Sequence, residues 1–149
     1  MRVYFAAPLF NVAERTFNTN LTIKIEEIGF KVFLPQRDGV ENTAQYLEAE
    51  KEQRRKLLFE TDRNEILKSD IFLFVLDGRV PDEGACVELG MAYLDKYINK
   101  KKKIIVGIHT DSRSAFMGSK PNPMVRMAFD CIINTELELI EYLKNIEKK

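Results

Sequence analysis

The run Ile71-Phe72-Leu73-Phe74-Val75-Leu76 is apolar at every position and bounded by polar residues. Such a run reads as a short strand buried on both faces. Shorter runs repeat the signal over residues 2–7, ended by Pro8, and over 31–35, 103–108 and 130–133. Between them the pattern turns helical. Phe17, Leu21, Ile25 and Ile28 share one face of a helix expected from Asn11 to about Ile28, and Gly29 stands where a helix ends best on glycine. A long helix is expected over 43–68. Its first half is very polar, and its second half sets Leu58, Asp62 and Ile66 in line at helical spacing. Another helix follows Pro81 and runs to about Ile98. A short one is expected over 124–129, and an amphipathic one over 135–146 closes the chain.

Strands alternating with helices imply parallel strands joined by right-handed crossovers. The expected fold is a flavodoxin-like three-layer α/β sandwich, one domain over residues 1–149, with a five-stranded parallel sheet in the order 2-1-3-4-5. Ligands in such sheets bind beyond the carboxyl ends of the strands, where strands 1 and 3 diverge. The loops that begin at Ala7, Gln36, Asp77 and His109 all leave from that rim. So do the least ordinary residues.

Composition narrows the chemistry mainly by exclusion. Lys plus Arg equals Asp plus Glu at 23 each, so no net field argues for nucleic acid or a membrane surface. The basic run Lys100-Lys101-Lys102-Lys103 falls at a helix end and is expected to be solvated there, complementing the helix dipole. Two cysteines, Cys86 and Cys131, are too few and too far apart for a disulfide framework or a zinc site. His109 is the single histidine. No apolar leader and no membrane-length apolar run is seen, so a cytoplasmic protein without metal is expected. Neither a Gly-x-Gly-x-x-Gly fingerprint, a P-loop nor a Gly-x-Ser-x-Gly elbow occurs.

What the rim holds in quantity is carboxylate: Asp77, Asp82, Glu83 and Glu88, with Asp62 converging from the long helix. Carboxylates without histidines or metal-ligand spacing point to acid–base work or glycosyl transfer. Glu88 stands among Val87, Leu89 and Met91, with Gly84 one turn before it and Ala92 one turn after, which leaves its approach open. It is either a nucleophile or a surface helix residue. Asp82 suits a helix N-cap as well as it suits catalysis. Asp62 suits a surface acid paired with Arg55 or Arg63, and Tyr4 a core tyrosine with a satisfied hydroxyl. Cys86 reads as helix packing, and His109 as a polar strand end.

Taken together, the residues say more. Tyr4-Phe5-Ala6-Ala7-Pro8-Leu9-Phe10, then Asp62, then Pro81-Asp82-Glu83-Gly84 through Glu88-Leu89-Gly90-Met91-Ala92, then Asn122-Pro123-Met124 resemble the nucleoside 2-deoxyribosyltransferase family, in the same order along most of the chain. The resemblance implies a flavodoxin-like fold and transfer of 2-deoxyribose between nucleobases with retention at C1′. It implies that Glu88 forms a deoxyribosyl ester, that Asp62 and Asp82 hold the base and shuttle its proton, and that Tyr4 positions Glu88. Phe10 would line the sugar and base pocket, with Asp77 and Gly84 at its rim. Asn122, with Met124 beside it, would reach the sugar in a neighbouring subunit's site, which implies a homo-oligomer. The expected partners are a 2′-deoxynucleoside and a free nucleobase, with no cofactor. Related enzymes hydrolyse deoxynucleoside 5′-monophosphates, and the loop over 110–120 carries hydroxyls and positive charge suited to a phosphate. That activity is the first alternative. A non-catalytic nucleotide-binding module is the second.

Overall fold

The computed structural model describes residues 1–111 and 121–147. In chain order the elements are β1 (Arg2–Ala6), α1 (Val12–Glu27), β2 (Lys31–Phe33), α2 (Pro35–Asp38), a 3-10 turn (Val40–Asn42), α3 (Ala44–Glu48) and α4 (Lys51–Lys68). They continue with β3 (Ile71–Val75), α5 (Glu83–Asn99), β4 (Ile104–Ile108), α6 (Pro123–Arg126), β5 (Cys131–Ile133) and α7 (Glu136–Glu147). All strand pairs are parallel, in the order β2-β1-β3-β4-β5. This is the expected flavodoxin-like sheet.

Alternation along the strands assigns the two faces. Val3, Phe5, Ile71, Leu73, Val75 and Val106 meet Leu21 and Ile25 of α1 and Leu139 and Leu143 of α7. Tyr4, Ala6, Phe72, Phe74 and Ile105 meet Ile66 of α4 and Ala85, Leu89 and Ala92 of α5 on the other side. Fully burying each large apolar side chain contributes about 1.5–3 kcal/mol, so both layers hold the sheet in register. At α1 the polar signals act as read. Asn11 Oδ1 accepts from Glu14 N at 3.0 Å, and Glu14 Oε2 accepts from Asn11 N at 3.2 Å. Gly29, at φ +96°, donates to Glu26 O at 3.0 Å.

Three local expectations need correction. The helix expected over 43–68 is broken: α3 ends at Glu48, and Glu50 in extended geometry starts α4 with a capping box to Gln53. Arg54 holds the corner, donating to Leu47 O at 2.7 Å and to Ala49 O at 2.9 Å. The turn expected at 36–39 is one turn of helix, with Pro35 at its first position, where no N–H is needed. Lys103, expected in solvent, is buried with its side chain 0% exposed. Its ammonium donates to Ile66 O, to Ser69 O at 2.7 Å and to Ser69 Oγ at 3.0 Å, and lies 3.4 Å from the buried Asp95 carboxylate. Strand β4 begins at the next residue, so Lys103 enters the sheet's lower edge while Lys100, Lys101 and Lys102 stay exposed. Burial lowers the Lys103 pKa and Asp95 opposes that shift.

Among the described residues no helix is long and apolar enough to cross a membrane.

Candidate active site

The centre of the site is built by β1 and α5. Tyr4 points to the α4/α5 face, fully buried, with its ring stacked between Phe33 and Phe72 at centroid distances of 5.7 Å. Its hydroxyl donates to Glu88 Oε1 at 2.8 Å. Glu88 therefore faces inward, half-buried, rather than lying on the helix surface. Asp62 comes from α4, the helix that packs on α5, and acts on both Tyr4 and Glu88. The two arginines considered as its partners turn elsewhere: Arg55 to Glu52, and Arg63 to Asn64 Oδ1 at 3.1 Å.

Burial and like charge set the titration of these groups. Glu88 is pushed up to about 8, chiefly by burial, with Asp62 and Asp82 adding repulsion and the Tyr4 hydrogen bond opposing. Asp62 is pushed up to about 6 by burial and then by Glu41, again against a hydrogen bond from Tyr4. Burial first, then the two carboxylates, hold the Tyr4 phenol far above its ordinary range, so it remains a donor. Glu41, in the 3-10 turn, was not singled out in the sequence. It lies in a polar stretch with no periodic signal, and only the folding of that turn against α4 brings it near Asp62.

At the head of α5, Asp82 is the N-cap: its Oδ2 accepts from Ala85 N at 2.8 Å. An added Cβ on Gly84 would lie 3.2 Å from that oxygen. The glycine thus makes room for the capping carboxylate. Cys86, next on the helix, packs partly buried against the α5 layer. Phe10 is 75% exposed at the rim, on a loop tied down by Glu14 Oε2, which accepts from Phe10 N at 2.8 Å.

The remaining rim residues make contacts of their own. Asp77 Oδ1 accepts from Thr110 N at 2.6 Å and Asp111 N at 3.0 Å, and its Oδ2 accepts from Thr110 Oγ1 at 2.5 Å. Asn122 caps α6, with Oδ1 accepting from Met124 N at 2.9 Å, and Met124 is 84% exposed. His109 lies at the strand end, its N–H on Ile133 O at 2.8 Å. The phosphate-suited loop falls largely on 112–120, outside the described residues. Among the described residues no cluster of His, Cys, Asp and Glu has the form of a metal site.

The arrangement is a carboxylate oriented by a buried phenol, with a second acid whose pKa is raised toward neutrality and a third at the cap of the same helix. It suits nucleophilic substitution assisted by an acid.

Known proteins bear on this geometry. Two solved structures share the fold. A conserved protein from Enterococcus faecalis V583 gives a TM-score of 0.78 at 23% identity, covering 97% of this chain and 98% of its own. A 2-deoxyribosyltransferase from the psychrotolerant bacterium Bacillus psychrosaccharolyticus gives 0.76 at 20% identity, covering 95% and 92%. No curated protein matches the sequence significantly. The profile of the family described as nucleoside 2-deoxyribosyltransferase matches residues 3–137, which span every strand of the sheet and all the carboxylates above. The chain belongs to the nucleoside 2-deoxyribosyltransferase family, a family of transferases of nucleoside salvage.

Proposed function

We propose that this protein transfers 2-deoxyribose from a 2′-deoxynucleoside to another nucleobase, with Glu88 as the nucleophile. The observation that carries this reading is the 2.8 Å hydrogen bond from the Tyr4 hydroxyl to Glu88, which aims a half-buried carboxylate held beside two further acids.

In the first displacement a Glu88 oxygen bonds to C1′ as the C1′–N bond breaks, and the departing base takes a proton from Asp62. Asp82 holds the base. Protonating the leaving group in this way typically contributes ~10²–10⁴-fold. In the second displacement a nitrogen of the incoming base bonds to C1′, the ester C–O bond breaks and Glu88 is released. The incoming base returns its proton to Asp62. Two inversions at one carbon give retention. A sugar without a 2′-hydroxyl forms the cationic transition state more readily, which favours deoxynucleosides. Neither displacement calls for a cofactor. Phe10 lines the pocket, and Asn122 acts on the sugar of a neighbouring subunit in a homo-oligomer.

The experiment is incubation with a deoxynucleoside and a different free base. A new deoxynucleoside supports the proposal, free sugar alone indicates hydrolysis, and no reaction indicates a binding module. Glu88→Ala is expected to abolish both exchange and a sugar adduct seen by intact mass. Wild-type turnover in that variant would sink the assignment.

A further inference from the structure

Asp77 faces the rim but spends its carboxylate on the protein. One oxygen takes two backbone N–H groups, Thr110 at 2.6 Å and Asp111 at 3.0 Å, and the other takes the Thr110 hydroxyl at 2.5 Å. A reciprocal bond runs back, from Gly78 N to Asp111 Oδ2 at 3.3 Å. Gly78 sits at φ +119°, a conformation that side chains rarely adopt, so the chain turns sharply away straight after Asp77. Thr110 and Asp111 follow β4, and Asp77 follows β3. The four groups thus join the exits of two adjacent strands above the sheet.

Among the described residues, little packing backs this junction. A cavity of about 380 Å³ lies against it, lined by Phe17, Val75, Asp77, Gly78, Thr110 and Asp111. Where side chains do not fill the space behind a loop, its position depends on its hydrogen bonds. The chain that leaves Asp77 has no helix or strand of its own until it reaches Asp82, the cap of α5. An error at Asp77 is therefore passed to Asp82 and Gly84, at the start of the helix that carries Glu88.

We propose that Asp77 is a positioning residue: its clamp on Thr110 and Asp111 sets where the β3–α5 connection leaves the sheet, and through it the place of Asp82 over the site. The proposal rests on the function assigned above only for its catalytic consequence. Both Asp77 oxygens are engaged by Thr110 and Asp111, so what matters in this role is its acceptor geometry and not its charge.

Asn at this position keeps one oxygen for the two N–H groups and offers an amide N–H to a rotated Thr110 hydroxyl. Asp77→Asn is therefore expected to keep kcat within ~3-fold of wild type, while Asp77→Ala lowers kcat by ~10²-fold, the scale of an ångström-sized misplacement. Thr110→Val, which removes only the hydroxyl bond, is expected to fall between them and serves if the alanine variant does not fold. Amide exchange supplies a readout independent of turnover. The Ala85 amide, capped by Asp82, should exchange ~10-fold faster in Asp77→Ala, with the β3 amides unchanged. Slow turnover with wild-type exchange at Ala85, a raised KM alone, or an asparagine variant as impaired as alanine would each overturn the proposal. A wild-type protein inactive in base exchange would overturn the assigned function instead, and the Ala85 comparison would still decide the clamp.

Discussion

Glu88 and Asp62 between them hold one proton over much of the neutral range, and the proposed chemistry needs it on the less favoured partner. Glu88 titrates near 8 and Asp62 near 6, so the surroundings leave the proton on Glu88, whereas attack requires Glu88 ionised and Asp62 protonated. The productive arrangement is a minor form of the singly protonated pair. The expected kcat/KM profile is a bell with limbs near 6 and 8, and Asp62→Asn should remove the high-pH limb, because no titrating acid is then lost. Rates measured from pH 5 to pH 9 check this. The same burial has a consequence for stability. Unfolded, Glu88 releases its proton near the ordinary 4.5; folded, near 8. Between those values the native state binds more protons, so stability falls as pH rises through that window and the loss is complete above it. Glu88→Gln keeps an acceptor for Tyr4 without the charge. It is expected to match wild type at pH 4 and exceed it by up to about 5 kcal/mol at pH 9 in denaturant unfolding, the rise from 4.5 to about 8 counting ~1.4 kcal/mol per pH unit. A variant less stable than wild type at pH 9 would contradict the burial argument.

Elements carried by apolar pattern were legible, and those set by single polar contacts were not. The strands and α1 follow from runs such as 71–76 and from Asn11 and Gly29. The break between α3 and α4 lies in a polar stretch where no hydrophobic period exists to be interrupted, and Arg54, Glu50 and Gln53 make it through side chains reaching backbone. Lys103 was hidden in a like way, the last lysine of a run whose other members are exposed. Lys103→Met should cost about 3 kcal/mol by leaving the buried Asp95 carboxylate with Lys101 as its remaining cation, beside the Asn99 amide. In a double-mutant cycle Lys103→Met with Asp95→Leu should cost less than the sum of the two. Backbone geometry makes a further prediction. Lys100 ends α5 at φ +48°, so Lys100→Gly is expected to stabilise by ~0.5–1 kcal/mol. Gly107 behaves oppositely. A Cβ there would meet Leu76 Cδ1 at 2.9 Å and Ile132 Cγ1 at 3.1 Å, so Gly107→Ala should destabilise by ~1–3 kcal/mol, and Leu76→Val should recover part of that. Thermal melts of these variants decide between these outcomes.

Across the whole molecule, the fold brings to one rim what the chain keeps far apart. Tyr4 and Glu88 are 84 residues apart and share a hydrogen bond, because α5 packs on the sheet face to which Tyr4 points. That pairing was legible only through the family resemblance, since the residues by themselves left Tyr4 a core tyrosine with a satisfied hydroxyl. The electrostatics were less so, because the effect of Glu41 on Asp62 depends on a 3-10 turn that the apolar pattern does not mark. Asn122 stands apart from this group. Its oxygen caps α6 and Met124 beside it projects 84% exposed. If Asn122 serves a neighbour's sugar, the site exists only in an oligomer, and defects in Glu88 and Asn122 lie in different sites when carried by different chains. Glu88→Ala and Asn122→Ala homo-oligomers should each be nearly inactive. Mixed one to one and allowed to exchange subunits, they should regain about a quarter of wild-type activity if the working unit is a two-fold dimer, since half the dimers are mixed and each mixed dimer holds one intact site. Recovery that grows with the time of subunit exchange argues for action in trans. No recovery after exchange shown to be complete, or a fully active monomer in sedimentation, would place Asn122 on its own chain's site or outside catalysis.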